Sequence, residues 1–324
     1  MVDLDDIKAA AIRLKPIIVR TPLISSPALN EMVGGKVLIK AENLQRIGSF
    51  KIRGAYNLLS QLTPEQAARG VIAFSSGNHA QAVAAAGTIL SIETTIVMPE
   101  DAPRIKIENT RKLGGTTVLY DRYTGDRETI ARAMAAERGC EVVPSYDHEH
   151  IIAGQGTVGL EIVEQCKEAG VVPDQVLINC SGGGLTAGCA IAICSQLANT
   201  AVHPVEPEQY DDTCRSLVSG KREQVDVTAR SICDSLQVAT PGKITFSINK
   251  DLLSSGVLVS DDDVRDAIRF AFAHLKLVVE PGGAVSLAAV LKGKIDTREK
   301  VTVIVLSGGN IDAEMFASIQ ASGS

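Results

Sequence analysis

The sequence predicts an α/β protein with two open, twisted, mostly parallel sheets that are flanked by helices. Two observations support this prediction. Apolar strands alternate with helical segments almost throughout the 324 residues, which is the order typical of parallel sheets. Aromatic residues make up only 3% of the chain and tryptophan is absent, so the core must be aliphatic, as suits buried parallel strands.

The chain is long for one compact core, so we expect two domains. Residues 65–146 contain several complete strand–helix repeats, which predicts a small domain with its own sheet. It is inserted into a large domain that is formed by residues 1–64 and 147–324.

The individual elements follow from apolar periodicity and from the glycines and prolines that end them. Helix 261–276 is an example, with Ser260 as N-cap and three aspartates in its first turn, where the helix dipole favours them. The other predicted helices are 4–14, 49–62, 80–87, 104–113, 126–138, 156–169, 185–197 and 284–291. The predicted strands are 37–42, 71–75, 94–98, 116–120, 142–143, 175–180 and 301–306.

Composition excludes several classes of function. The net charge is −6 and the sequence contains no block of like charges, so nucleic acid and acidic membranes are not expected partners. Apolar runs stay shorter than the ~18 residues of a membrane helix, and the acidic start is unlike a signal peptide. The seven cysteines include no CxxC pair, which predicts reduced buried thiols in a cytoplasmic protein.

Lys51 opens a predicted helix within the segment Ser49-Phe50-Lys51-Ile52-Arg53-Gly54. The helix dipole opposes a positive charge there, which favours the neutral amine. A neutral lysine is the form that makes a Schiff base with an aldehyde. The alternative is a solvated lysine in a first turn, because most lysines are surface charges.

Four polar or glycine-rich loops follow predicted strands. Ligands of open parallel sheets bind beyond the carboxyl ends of the strands, and four such loops at the same face of one sheet would form a cavity. A single glycine-rich turn is weaker evidence, since it can simply mark a tight turn. The loops are 48–51, 75–79, 181–184 and 307–310.

Ser181-Gly182-Gly183-Gly184 leads into a predicted helix, so its backbone N–H groups can converge on a phosphate. The loop lacks the lysine of a Walker A motif, which favours a monophosphate over a nucleotide triphosphate. Together with an aldehyde-reactive lysine and a pocket lined by Ser and Asn, this loop suggests pyridoxal 5′-phosphate. The alternative is a tight strand-to-helix turn.

A GxGxxG pattern at residues 154–159 offers a competing interpretation, an NAD-dependent dehydrogenase. This pattern indicates a dinucleotide site only when it follows a strand. The preceding Asp147-His148-Glu149-His150 is loop-like, so we do not expect a dinucleotide there.

Several motifs resemble those of the fold-type II pyridoxal-phosphate enzymes, in the family of serine racemase, threonine dehydratase and 3-hydroxyaspartate dehydratase. Residues 49–54 resemble the cofactor-lysine motif of that family, and residues 75–81 resemble its substrate loop. The resemblance covers nearly the whole chain and implies a tryptophan synthase β-like fold and a homodimer. The other similar segments are 153–157, 181–184, 280–281 and 307–310.

The resemblance also implies roles for individual residues. Lys51 would bond to the cofactor and move protons at the substrate Cα, while Ser76 would serve the opposite face. Asn78 would bind the 3′-oxygen of the cofactor, and Ser307 would meet the pyridine nitrogen. The implied cofactor-binding residues are Lys51, Phe50, Asn78, Ser181, Gly182, Gly183, Gly184, Leu185 and Ser307. The implied substrate-binding residues of the loop are Ser75, Ser76, Asn78 and His79.

A serine at the pyridine nitrogen does not supply the formal positive charge that an aspartate would stabilise. This favours loss of a β-leaving group over transamination. Loss of water from a β-hydroxy amino acid then yields a 2-oxo acid and ammonia, with some racemisation if Lys51 and Ser76 exchange the Cα proton. The chain departs from the family at Ser181, where a glycine is usual, and at Asp234-Ser235, where Asp-Gly is common.

Residues 206–212 resemble the cation site of serine racemase, which maps to Glu206, the Tyr210 carbonyl and Asp212. Oxygen ligands of this kind suit Mg²⁺, or alternatively Ca²⁺ or Mn²⁺. The alternative is a solvated acidic loop.

The substrate side chain depends on cations near the cleft, because a second carboxylate favours a bidentate arginine. Residues 121–128 contain Arg122 and Arg127, and His148 lies in a Tyr-Asp-His segment that resembles hydroxyaspartate-active relatives. Surface salt bridges to Asp126 or Glu128 are the alternative. We predict β-elimination of 3-hydroxyaspartate, giving oxaloacetate (via iminosuccinate) and ammonia. The alternatives are a serine racemase/dehydratase, a catabolic threonine dehydratase and a non-catalytic cofactor-binding homologue.

Overall fold

The structure is a computed structural model that describes residues 2–102, 104–121 and 123–322. Its strands are Leu23–Ser25 (β1), Lys36–Ala41 (β2), Val71–Phe74 (β3), Thr94–Pro99 (β4), Thr116–Tyr120 (β5), Glu141–Val142 (β6), Gln175–Asn179 (β7), Ala201–Pro207 (β8), Val257–Val259 (β9) and Val301–Leu306 (β10).

The α-helices are Leu4–Leu14 (α1), Pro27–Val33 (α2), Lys51–Leu59 (α3), Pro64–Ala68 (α4), Asn78–Leu90 (α5), Arg104–Lys112 (α6), Arg127–Arg138 (α7), Glu149–Glu168 (α8), Gly184–Cys194 (α9), Asp212–Ser219 (α10), Lys243–Leu252 (α11), Asp261–Phe270 (α12), Pro281–Leu291 (α13) and Ala313–Ala321 (α14). Short 3₁₀ turns lie at Glu42–Leu44, Arg46–Gly48 and Asp234–Leu236, and a π-turn at Ala271–Leu275 extends α12.

The larger sheet has six strands in the order β1-β2-β10-β7-β8-β9. Only β1 pairs antiparallel in this sheet, and the other described pairs are parallel. All five residues of β7 are buried, which is expected for a parallel strand covered on both faces. Since β2, β10 and β7 are neighbours, the loops that follow them emerge side by side.

The smaller sheet has four parallel strands in the order β5-β4-β3-β6. Its strands come from residues 71–142, within the stretch that was expected to form a small domain. The predicted fold of two mostly parallel sheets is therefore confirmed. The domain boundaries at 65 and 146 stay a prediction.

The GxGxxG pattern lies inside a helix, because α8 begins at Glu149 and not at residue 156 as predicted. Its glycines allow helices to touch. A Cβ on Gly154 would lie 2.5 Å from the Arg53 carbonyl oxygen in α3, and a Cβ on Gly156 would lie 2.8 Å from the Gly188 carbonyl oxygen in α9. The pattern therefore serves helix packing.

Other elements also differ from the prediction. Helix α3 begins at Lys51, two residues after the predicted start, and Ser49 is extended, with φ −161°. Strand β8 was missed because Pro204 and Pro207 argue against a central strand. In the described part of the chain, no helix is both long and apolar enough to cross a membrane. All seven cysteines are free thiols, and the predicted cytoplasmic location stays a prediction.

Candidate active site

The four predicted loops all contribute lining residues to one cleft. Three of them follow β2, β10 and β7 of the larger sheet, but residues 75–79 follow β3 of the smaller sheet. The expectation of four loops on one sheet was therefore wrong, and the cleft lies between the two sheets. Its lining residues are Phe50, Lys51, Asn78, Tyr146, Gln155, Asn179, Ser181, Gly182, Gly183, Gly184, Leu185, Thr186, Ser235, Leu236, Glu280 and Ser307.

Lys51 is the first residue of α3, and its Nζ donates a hydrogen bond to the Ser145 carbonyl oxygen at 3.0 Å. Burial lowers the pKa of Lys51 to about 8, and nearby Glu280 opposes that shift. The amine is thus more easily deprotonated than an ordinary lysine, as expected from the sequence. The largest cause of the lowered pKa is burial, and not the helix dipole from which it was predicted.

The glycine loop leaves its N–H groups available at the start of α9. The Gly182 carbonyl accepts from Gly242 N and Thr245 Oγ1, and the Gly183 carbonyl accepts from Asn249 Nδ2. The Gly182 and Gly183 N–H groups have no acceptor within the described part of the chain. Because Gly183 has φ +92°, a residue with a side chain would be strained there. This arrangement suits a bound phosphate.

Residues 145–148 connect several elements around the cleft. Ser145 accepts from Lys51, as described above, and the Tyr146 ring fills the space beside Gly182, where a Cβ would lie 2.3 Å from a ring carbon. Asp147 accepts hydrogen bonds from the backbone N–H groups of Lys243, Ile244 and Thr245, at 2.8–3.1 Å. Asp147 therefore caps α11, the helix that supports the glycine loop.

The loop after β3 contributes Asn78, the first residue of α5, to the cleft lining. Ser75 and Ser76 are half-buried, and neither they nor His79 lines the cleft. His79 Nε2 donates to the Val143 carbonyl oxygen at 2.9 Å. Burial and the neighbouring Lys51 lower the pKa of His79 to about 3, so its imidazole is neutral.

Ser307 directly follows β10 and lines the cleft. Asn179 Nδ2 donates to Ser307 Oγ at 3.1 Å and to the Gly282 carbonyl oxygen at 2.8 Å. Ser286 Oγ in turn donates to Asn179 Oδ1, which fixes the orientation of this amide. Since Ser307 Oγ already accepts one hydrogen bond, its own proton is free to donate into the cleft.

Glu280 is a buried carboxyl at the cleft, with 5% of its surface exposed. Burial and the charge of Asp234 raise the pKa of Glu280 to about 8, although its hydrogen bond with Asn78 opposes that shift. Lys106 of α6 pairs with Asp234 at 2.6 Å, which links α6 to the 3₁₀ turn that contributes Ser235 to the cleft.

Arg127 begins α7 and is exposed near the end of β3. Its guanidinium carbon lies 5.9 Å from the centre of the Phe74 ring, directly before Ser75. The suggested salt-bridge partners have other roles, because Asp126 caps α7 and Glu128 pairs with Arg132. Arg122 lies outside the described residues.

His148 is the N-cap of α8. Its Nδ1 accepts from the backbone N–H of His150 at 3.0 Å. Burial, with the neighbouring His150, lowers the pKa of His148, so the ring is more easily neutral, as the cap requires. Its predicted contact with substrate stays a prediction.

Glu206 lies in β8, and its carboxylate accepts hydrogen bonds from two backbone N–H groups of α10, those of Thr213 at 3.2 Å and Cys214 at 2.8 Å. Asp212 is fully buried, and neither of its carboxylate oxygens has a hydrogen-bond partner within the described part of the chain. The Tyr210 hydroxyl donates to the carbonyls of Val227 and Ala229. No cluster of three or more His, Cys, Asp or Glu suited to a metal occurs in the described ranges, so the expected site depends on two carboxylates and a backbone carbonyl.

Comparison with known proteins identifies the family. Residues 14–308 match the model of the pyridoxal-phosphate dependent enzymes. The chain belongs to this family.

The relatives carry names of three activities. The serine racemase of Schizosaccharomyces pombe is 41% identical over 97% of this chain and 95% of its own length. The L-threo-3-hydroxyaspartate ammonia-lyase of a Pseudomonas species is 41% identical over 97% of both chains. The solved T.th. threonine deaminase superimposes with a TM-score of 0.90 at 40% identity, over 96% of this chain and 99% of that one. The two-sheet fold is thus that of the fold-type II pyridoxal-phosphate enzymes, as predicted.

The cleft fits the cofactor of this family. Lys51, whose pKa burial lowers to about 8, can bond to the aldehyde in its neutral form, and the free N–H groups of the glycine loop can receive the phosphate. The cleft also has lining residues that were not predicted from the sequence, among them Tyr146, Gln155, Asn179 and Glu280. Tyr146, Gln155 and Glu280 stood in segments that resembled the family. Asn179 had only its place at the end of β7 as a signal.

Proposed function

We propose that this pyridoxal-phosphate enzyme is an ammonia-lyase that converts 3-hydroxyaspartate to oxaloacetate and ammonia, by loss of water and then hydrolysis of the resulting imine. The observation that carries the reaction class is the meeting of Lys51, the glycine loop and Ser307 in one cleft. Support for the substrate comes from Arg127 beside the substrate loop and from relatives that bear the hydroxyaspartate name.

When bound, pyridoxal phosphate supplies an electron sink for negative charge at the substrate Cα. Lys51 Nζ takes the proton from Cα, a role that suits an amine with a pKa of about 8, lowered by burial. Ser76 is proposed to serve the other face of Cα. The hydroxyl at Cβ then leaves as water, and hydrolysis of the resulting imine releases ammonia and returns one oxygen to the carbon skeleton.

Ser307 favours elimination because it offers a hydroxyl proton and no negative charge to the pyridine nitrogen. Asn179 supports this role, since it donates to Ser307 Oγ and leaves the hydroxyl proton free to point at the ligand. An uncharged partner keeps less negative charge in the ring, which promotes prompt departure of the β-hydroxyl.

The substrate is tested by a panel of 3-hydroxyaspartate isomers, L-serine and L-threonine, with release of ammonia and 2-oxo acid as the measurement. We expect the highest kcat/KM for a hydroxyaspartate isomer. Arg127→Ala should lower kcat/KM for hydroxyaspartate about tenfold or more, as for a lost charged hydrogen bond, and should change serine turnover much less. Arg132→Ala, an exposed arginine of the same helix, is the matched control. A higher kcat/KM for threonine would refute the substrate.

A serine racemase/dehydratase is the second candidate, because the Schizosaccharomyces pombe relative is as similar as the Pseudomonas lyase. Formation of D-serine from L-serine, measured by chiral chromatography, would distinguish a serine racemase from the proposed lyase. The expected homodimer is tested by light scattering on the purified holoenzyme.

We also propose a divalent cation at Glu206, the Tyr210 carbonyl and Asp212. The support is the buried Asp212 carboxylate, which lacks a donor among the described residues. Without a cation, burial raises the pKa of Asp212 to about 9. Mg²⁺ should raise the Tm of the holoenzyme, Asp212→Asn should abolish that increase, and the exposed Asp251→Asn should leave it unchanged.

A further inference from the structure

A chain of amide hydrogen bonds runs behind the cleft. Asn310 Nδ2 donates to the Ile47 carbonyl oxygen at 2.9 Å and to Asn78 Oδ1 at 2.7 Å. Asn78 Nδ2 then donates to Glu280 Oε1 at 2.5 Å. The chain joins the turn before Lys51 to the first residue of α5 and to the residue before α13. Asn310 itself is not among the residues that line the cleft.

The direction of this chain is set by a backbone atom. The Ile47 carbonyl oxygen can only accept, so the Asn310 atom that faces it must be the amide nitrogen. The same nitrogen contacts Asn78, and the Asn78 atom there must therefore be the oxygen. The Asn78 nitrogen is left on the opposite side, where it has one hydrogen for Glu280 and a second hydrogen for a ligand.

We propose that Asn310 is a positioning residue that holds the Asn78 amide with its nitrogen toward the cleft. The cleft then presents an N–H donor at this point, and the donor recognises a negatively charged ring oxygen of the cofactor. An amide turned the other way would present an oxygen and repel that group. The inference rests on the proposed contact of Asn78 with the cofactor.

The surrounding backbone is built to admit this chain. A Cβ on Gly308 would lie 2.2 Å from Glu280 Oε1 and 3.2 Å from Asn78 Nδ2, and a Cβ on Gly48 would lie 2.5 Å from Asn310 Oδ1. Ile47 has φ +67°, an unfavourable conformation for a β-branched residue. Its strained backbone directs the carbonyl oxygen to Asn310, which is the contact that sets the direction of the chain.

The experiment compares two cofactors on the full chain, after removal and reconstitution. One is pyridoxal 5′-phosphate and the other is 3-deoxypyridoxal 5′-phosphate, which lacks the ring oxygen. Equilibrium dialysis gives a Kd for each, and their ratio measures recognition of that oxygen. We expect the wild-type protein to prefer pyridoxal phosphate by about tenfold or more, as for one hydrogen bond to a charged group.

The test variant is Asn310→Asp, which places a carboxylate oxygen against two acceptors and forces the Asn78 amide to turn. Its Kd ratio should fall to about one. Asn43→Asp is the matched control, because the buried Asn43 donates to the Val278 carbonyl at 3.1 Å and takes no part in the chain. The control should keep the wild-type ratio.

Three results would overturn the inference: a wild-type ratio near one, an unchanged ratio in Asn310→Asp, or an equal loss in Asn43→Asp. If Asn310→Asp does not fold, Asn310→Ala replaces it, and a wild-type ratio in that variant overturns the inference as well. The ratio does not depend on any substrate. A protein that fails to release oxaloacetate but keeps the ratio would refute the proposed substrate alone.

Discussion

Replacing Arg53 with methionine tests how strongly the core depends on a buried charge network. Arg53 is fully buried two residues after Lys51, and its guanidinium donates five hydrogen bonds: two to Glu42, two to Glu161 and one to Thr157. Lys40 adds a second cation at 2.5 Å from Glu161. Two cations and two carboxylates thus balance one another in this buried network.

Arg53→Met leaves one cation for two buried carboxylates. Loss of one partner of a buried pair costs about 3–5 kcal/mol of the free energy of unfolding. Arg132→Met is the control, since that arginine is 65% exposed and its pair with Glu128 contributes about 0.3–0.5 kcal/mol. Chemical denaturation of both variants at pH 7 measures the two costs.

The cost of Arg53→Met should also depend on pH. Burial opposes the charged form of Glu42, but Arg53 outweighs burial and holds the pKa below its ordinary value. A carboxyl with a lowered pKa stabilises the fold above its unfolded pKa, about 4.3, and loses that contribution as the pH falls. Without Arg53, burial would raise the pKa of Glu42, so the deficit should shrink as the pH falls toward 4. A deficit that matches Arg132→Met, or one that is the same at pH 7 and pH 4.5, would refute this reasoning.

Three further predictions concern the cleft and its supports. Asp147→Ala removes the cap of α11 and should lower the free energy of unfolding by about 1–2 kcal/mol, seen as a lower Tm, and Asp147→Asn should recover part of the loss. An unchanged Tm in Asp147→Ala would contradict the role of Asp147 as a cap. Burial lowers the pKa of Lys51 to about 8, so the rate at which an aldehyde modifies Lys51 in the cofactor-free protein should rise with pH and level off above pH 8. A rate that continues to rise up to pH 10 would show that Lys51 is an ordinary lysine. Gly188→Ala places a Cβ 2.3 Å from the Ile152 carbonyl oxygen and should cost about 1–3 kcal/mol in denaturation experiments; an unchanged midpoint would show that the helices have room.

The sequence predicted those parts of the site whose chemistry is local. In the glycine loop and the lysine motif, the residues that determine the chemistry are adjacent in the sequence, so a short segment is enough to predict the function. The supports could not be predicted this way, because their partners are distant. Asp147 lies 96 residues from Lys243, and Asn179 lies 128 residues from Ser307.

Some elements were missed for a different reason. Strand β8 was not predicted because its prolines disfavour a strand, yet its pairing with β7 outweighs that local conformational preference. The GxGxxG pattern is misleading in the other direction, because it suggests a ligand site whereas its glycines allow α8 to contact α3 and α9.

That contact between three helices has a consequence for how the protein opens. Gly154 meets the backbone of α3, while Gly156 and Gly159 meet the backbone of α9, so little side-chain material lies between the axes. Main chains in direct contact cannot separate by small rotamer changes, and one helix cannot fray without exposing the others. We therefore expect amide protons in the middle of α3, α8 and α9 to exchange with deuterium as one slow unit, which places Lys51 at the edge of the most persistent part of the protein.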